Sequence, residues 1–453
     1  MKRSVFTFIL LLTWLSSDNY PRKRFHERTS NPLEILGRED RKYGDHSGNR
    51  VLCRIYNHGS IGDQSSSFSG VYPLGSGHSY IWEFSPVIAA SVVDINGNRK
   101  HIVSDGISGL SDVSPEGSPW SFEPLSGYAD PNQENLAMSD NESSWPNSWP
   151  NRPDDWDGEW NGQYGQYVRA DQESYFVVDD YYNSEFEFWP DTSDTPNSST
   201  DNPDLHRRGL GIEMEARGYQ WNHPAAEDII IVTYWITNVG SNVLDSVVFG
   251  MYGDADIGGP SSFSDDDAWF DTDNDMVYQW DHDNWSTSYG GFRPAYFGWS
   301  FLESPGNPHD GIDNDGDGMI DESQFDGIDN DGDWDPERDD IGSDGLAEFH
   351  INYPGPDDDG TEGNGIPDLG EPNFEITDND ESDQIGLTSF YSAPYPSVYP
   401  SNDEVMWSQM SPGIFQVPQQ NVDQTFLYGS GYISLQPGEK KKFAIAMVYG
   451  ENM

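Results

Sequence analysis

The stretch DIIIVTYWIT at residues 228–237 decides the fold class. Its β-branched and aromatic side chains form a nearly continuous apolar run, which is typical of a strand covered on both faces. Residues 238–242 then turn the chain, and residues 243–252 return it as a second apolar strand. We therefore expect residues 228–237 to lie at the centre of a sheet.

Shorter strand patterns flank this centre on both sides. Apolar and polar side chains alternate in them, and turns rich in Gly, Pro and Asn separate them, including the hairpin signal NG at 96–97. Helical periodicity is not convincing in any segment. The sequence predicts an all-β protein built from β-sandwich domains. The other predicted strands are residues 51–57, 80–84, 87–94, 99–104, 175–180, 210–217, 276–280, 295–302, 387–391, 425–428, 432–435 and 441–449.

The composition of the 453-residue chain agrees with this class. Only 34% of the residues are hydrophobic, but 16 Trp, 24 Tyr and 22 Phe are more aromatic residues than a disordered chain carries. The single cysteine, Cys53, excludes an internal disulfide. It lies in an alternating segment, so we expect a buried strand thiol.

The formal net charge of −56 excludes nucleic acids and anionic membranes as partners, because both require a basic protein face. Lys2 and Arg3 precede an apolar run at residues 5–15, and two serines follow, which is typical of an export signal. This run is too short to span a bilayer, and no later apolar stretch is long enough to do so. These features predict a secreted or outer-surface protein with a signal peptide at residues 1–17.

The remaining chain divides by composition. Residues 18–48 are polar, locally basic and without periodicity, so we expect a linker. An N-terminal β-rich domain is expected at residues 49–220. A β-sandwich domain is expected at residues 221–453, interrupted by a long, acidic and loop-rich insertion at residues 303–385.

The insertion contains a tandem repeat: DGIDNDGD occurs at residues 310–317 and again at 326–333. Residues 310–340 hold fourteen acidic residues and a single Arg. Two carboxylates about 5 Å apart repel by roughly 3 kcal/mol at an effective dielectric of about 20. A calcium ion, which takes six to eight oxygen ligands, reverses the sign of this interaction. The alternative is a solvated acidic linker.

Both copies match the ligand positions 1, 3, 5, 7 and 9 of a calcium loop. Position 12 of the first copy is Gln324, and position 6 of the second is Trp334 instead of Gly. A third, weaker match lies at residues 360–371. The predicted calcium ligands are Asp313, Asp315, Asp317, Asp321 and the Met319 carbonyl; Asp329, Asp331, Asp333, Glu337, Asp340 and the Asp335 carbonyl; and Glu362, Asn364, Asp368, Glu371 and the Ile366 carbonyl.

No helical pattern flanks these loops, so they are not helix-loop-helix calcium sites. They look more like thrombospondin type 3 repeats, in which calcium holds together a chain with little apolar core. A further acidic segment spans residues 254–275. Asp271, Asp273 and Asp275 have the spacing of half a calcium loop, but Met276 stands where Gly is usual. The sequence leaves metal binding by these residues, and by Asp254 and Asp256, open.

Tryptophan is concentrated at residues 144–160, where SWPN occurs twice in succession before Trp156 and Trp160. Exposed Trp rings would stack on sugars, whereas packed rings would fix a long loop on a sheet, which is the commoner case. Zinc-protease, nucleophile-elbow and phosphate-loop motifs do not occur, and His206, His223, His282, His309 and His350 stand singly. We therefore assign no catalytic residue.

Several segments together resemble large secreted proteins of Bacteroidetes-like bacteria, in which β-sandwich modules precede a type IX secretion sorting domain. The resemblance implies a surface or released protein, and it carries no established activity. The segments are ADQESYFVVDD (170–180), GLG (209–211), RGYQW (217–221), ITN (236–238), FGMYGDAD (249–256), FLESP (301–305) and DESDQIGLTSF (380–390).

The functional expectation is a calcium-binding, extracellular or cell-surface structural or adhesive protein. Calcium would make the insertion rigid, and the partners would be calcium ions and surface glycans or other surface proteins. The alternative is a glycan-binding module, or an enzyme that degrades polysaccharides, that uses the Trp-rich residues 145–160.

Overall fold

The structure of the chain is a computed structural model. It describes residues 37–62, 69–94, 97–108, 113, 120–181, 183, 209–307, 329, 332, 334–350, 353–357, 360–368, 370–374, 383–395 and 397–450. The predicted signal peptide lies outside these residues. The strands before residue 230 are β1 (Tyr43–His46), β2 (Cys53–Tyr56), β3 (Ile81–Val93), β4 (Arg99–Asp105), β5 (Glu123–Pro124), β6 (Ala137–Met138), β7 (Gln172–Asp179), β8 (Ile212–Gln220) and β9 (Ile229–Asn238).

The strands of the second half follow in the same manner, with one α-helix among the described residues. They are β10 (Leu244–Ala255), β11 (Asp266–Asp271), β12 (Met276–Asp281), β13 (Tyr296–Glu303), β14 (Gly306–Asn307), β15 (Asp383–Gln384), β16 (Ser389–Pro394), helix α1 (Asp403–Met410), β17 (Gln424–Leu435) and β18 (Lys440–Gly450).

Two antiparallel sheets face each other, which confirms the predicted all-β sandwich. One sheet has five strands in the order β16-β17-β10-β3-β4. The other has nine, in the order β11-β12-β13-β18-β9-β8-β7-β5, with β6 also paired to β7. Aromatic rings from both sheets meet in the interior. The ring centroids of Phe84 and Trp299, which are stacked, are 4.6 Å apart, and those of Phe249 and Phe443 are 4.4 Å apart.

The central stretch of the sequence becomes β9, which lies between β18 and β8. The returning strand β10 is not its hairpin partner, because β10 pairs with β3 and β17 in the five-stranded sheet. The Asn238 side chain fixes the connection by donating to the carbonyls of Asn242 (2.7 Å) and Leu435 (3.0 Å). Residues 238–243 therefore carry the chain from one sheet to the other.

Two predicted interruptions do not occur. Residues 80–84 and 87–94 form the single strand β3, although Pro86 lacks a donor for the sheet. On this side of β3, Phe84 pairs with Ile61, and β4 pairs with β3 only from Val87 onward. Pro86 therefore lies at the point where one pairing partner of β3 gives way to the next. Residues 425–428 and 432–435 likewise belong to one strand, β17.

The N-terminal boundaries differ from those predicted. The expectation of a linker over residues 18–48 is wrong at β1, which pairs with β2. Arg54 fixes this pair by donating to both oxygens of Asp45, at 2.6 and 2.9 Å. Strands β3 and β4 share a sheet with β10, β16 and β17, so the boundary expected at residue 220 does not separate the sheets. Cys53 is buried on β2 as expected, and burial raises the pKa of its thiol to about 12.

Helix α1 was not predicted, because its eight residues are too few for a helical period to be recognised. It covers part of the outer face of the five-stranded sheet through Met406 and Met410, which pack with Val248, Tyr252 and Leu427. Within the described part of the chain, no helix has the length and apolar character needed to cross a membrane.

Residues 305–385 form a second compact unit, close to the insertion expected at residues 303–385. Its two short strands, β14 and β15, pair with each other. Among its described residues Phe374 is the only buried hydrophobic side chain, while Asp339 and Glu371 are buried acids. Apolar burial therefore contributes little to this described part.

Candidate functional site

Much of the predicted calcium site lies outside the described residues. The first loop lies outside the described residues, with Asp313, Asp315, Asp317, Met319 and Asp321. Asp331 and Asp333 of the second loop lie outside them too. The described candidate ligands are Asp329, Asp335, Glu337 and Asp340 of the second loop and Glu362, Asn364, Ile366, Asp368 and Glu371 of the third.

The structure brings the described parts of the second and third loops together. Asp340 accepts hydrogen bonds from the backbone amides of Gly363 (2.6 Å) and Gly365 (2.7 Å). In return, Glu371 accepts from the backbone amide of Gly342 (2.9 Å) and from the indole of Trp334 (3.0 Å). The two loops are thus connected by the side chains predicted to be ligands.

Several of the remaining candidates also contact donors within the unit, whereas the buried Oδ1 of Asp329 has no hydrogen-bond partner. The Asp335 carboxylate accepts from the amide of Glu337 at 2.9 Å, Glu362 accepts from the hydroxyl of Tyr353 at 2.7 Å, and Asn364 donates to Asp368 at 2.5 Å. No three carboxylates of the described part of the insertion converge on one point. A cation bound there would share these carboxylates with N–H and O–H donors.

Two groups of converging carboxylates lie instead in the sandwich. The first joins Asp254 and Asp256, at the end of β10, to Asp423, just before β17. One oxygen from each lies within 4.8 Å of the others. The sequence left metal binding by Asp254 and Asp256 open, and it gave no signal for Asp423, which only the pairing of β10 with β17 brings close.

Two members of this group, which we call the Asp254 cluster, are poorly accessible to water, and the third, Asp423, is partly buried. Asp254 and Asp256 are 5% and 6% exposed. Burial, and then the carboxylates of Asp256, Asp423 and Glu83, raise the pKa of Asp254 well above its usual range. Burial and Asp423 raise the pKa of Asp256 to about 7. Within the described chain, no basic group contributes to these shifts or to that of Asp423.

The second group contains Asp265, Asp281 and Asp283. The backbone amide of Trp285 donates to Asp281 (2.7 Å) and to Asp283 (2.9 Å), and the Ser262 hydroxyl donates to Asp281 at 3.3 Å. Protein donors therefore already stabilise much of the charge in this group.

The half calcium loop at residues 271–275 is the turn between β11 and β12. Asp271 accepts from the backbone amides of Asp273 (3.0 Å) and Asn274 (3.2 Å), whereas Asp275 accepts from the amide of Leu387 (2.7 Å). Such side-chain-to-backbone bonds are typical of Asx turns. The three carboxylates belong to neither converging group.

The Trp-rich stretch packs against the nine-stranded sheet. Trp149 and Trp160 are buried with Tyr175 and Val177 of β7, and Trp145 and Trp156 are partly buried against them. The indole N–H of Trp160 donates to Glu173 at 2.7 Å, and that of Trp149 to the carbonyl of Glu159 at 2.9 Å. The packing interpretation is confirmed for Trp149 and Trp160, whose rings have no free face for a sugar.

One Ser–His pair invites comparison with a nucleophile and its base. The ring Nε2 of His46 lies 2.8 Å from the hydroxyl of Ser174, but both residues are fully buried. Burial lowers the pKa of His46 to about 4. A substrate cannot reach the Ser174 hydroxyl in this arrangement, so the pair supports the fold and not catalysis.

The architecture defines the chain as an all-β sandwich protein with an acidic insertion. Comparison with known protein families and with curated proteins finds no match.

Proposed function

We propose that the chain is a calcium-binding structural or adhesive protein of the cell exterior, in which calcium makes the insertion rigid. The tandem repeat at residues 310–333 carries the proposal, because its carboxylates have the spacing of calcium ligands. The described part of the insertion supports it: Asp339 and Glu371 are buried there, and Phe374 is the only buried hydrophobic residue. A chain with so little apolar burial needs another source of stability.

The mechanism is linkage between binding and folding. Calcium that binds the folded loops and not the unfolded chain stabilises the folded form by RT ln(1 + [Ca²⁺]/Kd). Extracellular calcium modules bind at roughly 10⁻⁴ to 10⁻³ M, so the insertion would be rigid outside a cell and loose where calcium is scarce. The export-signal pattern at residues 1–17, and the resemblance to secreted β-sandwich surface proteins, support the same location.

The test is thermal unfolding and limited proteolysis of residues 18–453, in millimolar calcium and in EGTA. We expect calcium to raise the melting temperature and to protect residues 305–385 from cleavage. The double substitution Asp315→Ala, Asp331→Ala should abolish that protection. Asp154→Ala, Asp155→Ala removes two exposed acids elsewhere and is the matched control. Cleavage of the insertion at the same rate with and without calcium would reduce the repeat to an acidic linker.

Glycan binding is the second candidate, and the structure favours a different surface for it than residues 145–160. Tyr278 and Trp280 of β12 and Tyr296 of β13 form a row of stacked rings, with centroids 5.6 and 5.8 Å apart. All three are partly exposed, and Trp269, paired with Tyr278 across β11 and β12, is 38% exposed. The partly exposed rings offer an apolar, aromatic surface that a sugar could contact.

Retention on insoluble polysaccharides tests this candidate. Trp280→Ala, Tyr296→Ala should abolish retention, whereas Trp156→Ala, in the packed stretch, should leave it unchanged. A chain that is retained by no member of a broad glycan panel would not be a glycan-binding module.

A further inference from the structure

The Asp254 cluster lies on the outer face of the five-stranded sheet, beside the apolar residues under helix α1. Asp254 is paired with Glu83 of β3 on one side and with Thr425 of β17 on the other, so all three side chains share a face. Asp256 and Asp423 extend this row at the end of the strands. Like charges on neighbouring strands repel, so this row destabilises the sheet unless something compensates it.

Glu83 is compensated by the protein itself. One of its oxygens accepts from the hydroxyls of Ser60 (2.8 Å) and Ser85 (3.1 Å) and from the amide of Ser108 (2.6 Å). The Asp254 cluster has no comparable set of donors among the described residues. The charged groups that act on Asp254 and Asp256 are other carboxylates, and burial alone raises the pKa of Asp423.

Two buried polar atoms beside the cluster have no hydrogen-bond partner. The hydroxyl of Thr425, in a residue 1% exposed, stands directly opposite Asp254 on the neighbouring strand. Asp266 is fully buried, and its Oδ2 accepts from the amide of Ile257, the residue after Asp256, at 3.0 Å. Its Oδ1 is unpartnered. An unpaired buried polar atom destabilises the folded protein, so a ligand that satisfies it is favoured.

We propose that Asp254, Asp256 and Asp423 bind a divalent cation, with the Thr425 hydroxyl as a neutral ligand. All four offer oxygen, the donor that calcium and magnesium prefer. Carboxylate oxygens within 4.8 Å of one another can share one ion at the 2.3–2.6 Å bond lengths of calcium, which makes calcium the better fit. The site would fasten β10 to β17, and it does not rest on calcium binding by the insertion.

Calcium binding to the full chain, measured by titration calorimetry after treatment with EGTA, tests the site. Asp315→Ala, Asp331→Ala is used as the background, so that a failure of the insertion to bind calcium does not decide the result. In this background we expect Asp254→Asn, Asp423→Asn to lower the number of bound calcium equivalents by one, whatever the third loop of the insertion binds. Asp245→Asn, an exposed position on the same strand, is the matched control and should leave that number unchanged.

The change in melting temperature caused by Asp254→Asn, Asp423→Asn, measured in EGTA and in calcium, distinguishes a bound cation from carboxylates that merely share protons. If the site binds calcium, Asp254→Asn, Asp423→Asn raises the melting temperature in EGTA, because repulsion is removed, but lowers it relative to the background in calcium. If no ion binds, the substitution raises the melting temperature equally in both conditions, and the proposal fails.

Thr425→Val provides a second, milder variant of nearly the same shape. If Thr425 is a ligand, the substitution weakens calcium binding by roughly tenfold or more, since one oxygen ligand is lost. If the hydroxyl is merely unsatisfied, Thr425→Val stabilises the protein to the same extent with and without calcium, which counts against the proposed ligand set.

Discussion

Arg217 shows how a single residue can depart from the alternation of its strand. Arg217 lies on the polar face of β8, which the Trp-rich segment covers. Its guanidinium lies 3.8 Å from the centroid of the Tyr175 ring. It also donates hydrogen bonds to the carbonyl of Asn161 and, at 3.2 Å, to the carboxylate of Glu215. Burial alone would raise the pKa of Glu215, but Lys440 and Arg217 outweigh it and lower the pKa to about 2. Alternation predicted the strand, but it could not reveal that a distant segment covers its polar face.

Replacing Arg217 by Ala would remove the fully buried member of this ion pair and leave the partly buried Glu215, whose side chain is 16% exposed, with Lys440 as its remaining partner. We expect a loss of roughly 3–5 kcal/mol in unfolding free energy, as for other broken buried ion pairs. Arg293→Ala, at an exposed position of the same unit, should change stability by less than about 0.5 kcal/mol. Urea unfolding measures both, and equal stabilities of the two variants would contradict the structural role of Arg217.

His46 makes stability depend on pH. Its pKa is lowered by burial from 6.5 to about 4, so the unfolded chain takes up a proton at a higher pH than the folded one. The contribution of His46 is therefore complete above pH 6.5 and is lost as the pH falls toward 4, by up to about 3 kcal/mol. We expect His46→Gln to remove this part of the pH dependence. Parallel stability curves of the two proteins between pH 7 and 4 would show that His46 is not the group responsible.

At the scale of elements, helix α1 protects an edge of the five-stranded sheet. Strand β4 lies at that edge, where unpaired amides are a template for aggregation. The first turn of the helix covers two of them: Glu404 accepts from the amide of His101 (3.2 Å), and Asp403 from that of Val103 (3.0 Å). The acids are also favourable at a helix N-terminus, so one pair of side chains serves both elements.

Removing the two acids should expose the edge without unfolding the sheet. We expect Asp403→Ala, Glu404→Ala to speed hydrogen exchange at the amides of His101 and Val103 and to increase aggregation. Asn402→Ala removes the side chain that caps the helix through the amide of Val405 (3.1 Å), and it should cost about 1 kcal/mol while both acids remain. If hydrogen exchange at the two amides rises equally in both variants, the edge is protected by the helix as a whole and not by the carboxylates of Asp403 and Glu404.

At the scale of the whole molecule, the sequence predicts strands better than it predicts their partners. The apolar run of β9 identifies a covered strand, because period and side-chain type are local properties. Nothing local states that β10 joins the opposite sheet, or that Asp423 lies beside Asp254, since both follow from long-range pairing. The proposed calcium repeat could be recognised because its predicted ligands lie in one short segment. A cluster assembled from two distant strands leaves no such spacing in the sequence.

The insertion should be dispensable for the sandwich. Strand β13 ends at Glu303 and β16 begins at Ser389, and between them the amide of Gly386 donates to the hydroxyl of Ser304 at 2.8 Å, so the chain leaves and re-enters at one place. Insertions joined through adjacent ends are tolerated because their removal disturbs few contacts.

We expect a chain in which a short Gly-Ser linker replaces residues 306–384 to keep its β-sheet circular dichroism and to unfold cooperatively. The control is the full-length protein that is first folded and then cleaved within the insertion by limited proteolysis, so that both halves of the sandwich are retained. If the shortened chain aggregates while the cleaved full-length protein keeps a folded sandwich, the insertion is needed for folding and not for the stability of the folded sandwich. If calcium still stabilises the shortened chain, that effect must come from the sandwich, and Asp254→Asn, Asp423→Asn should remove it.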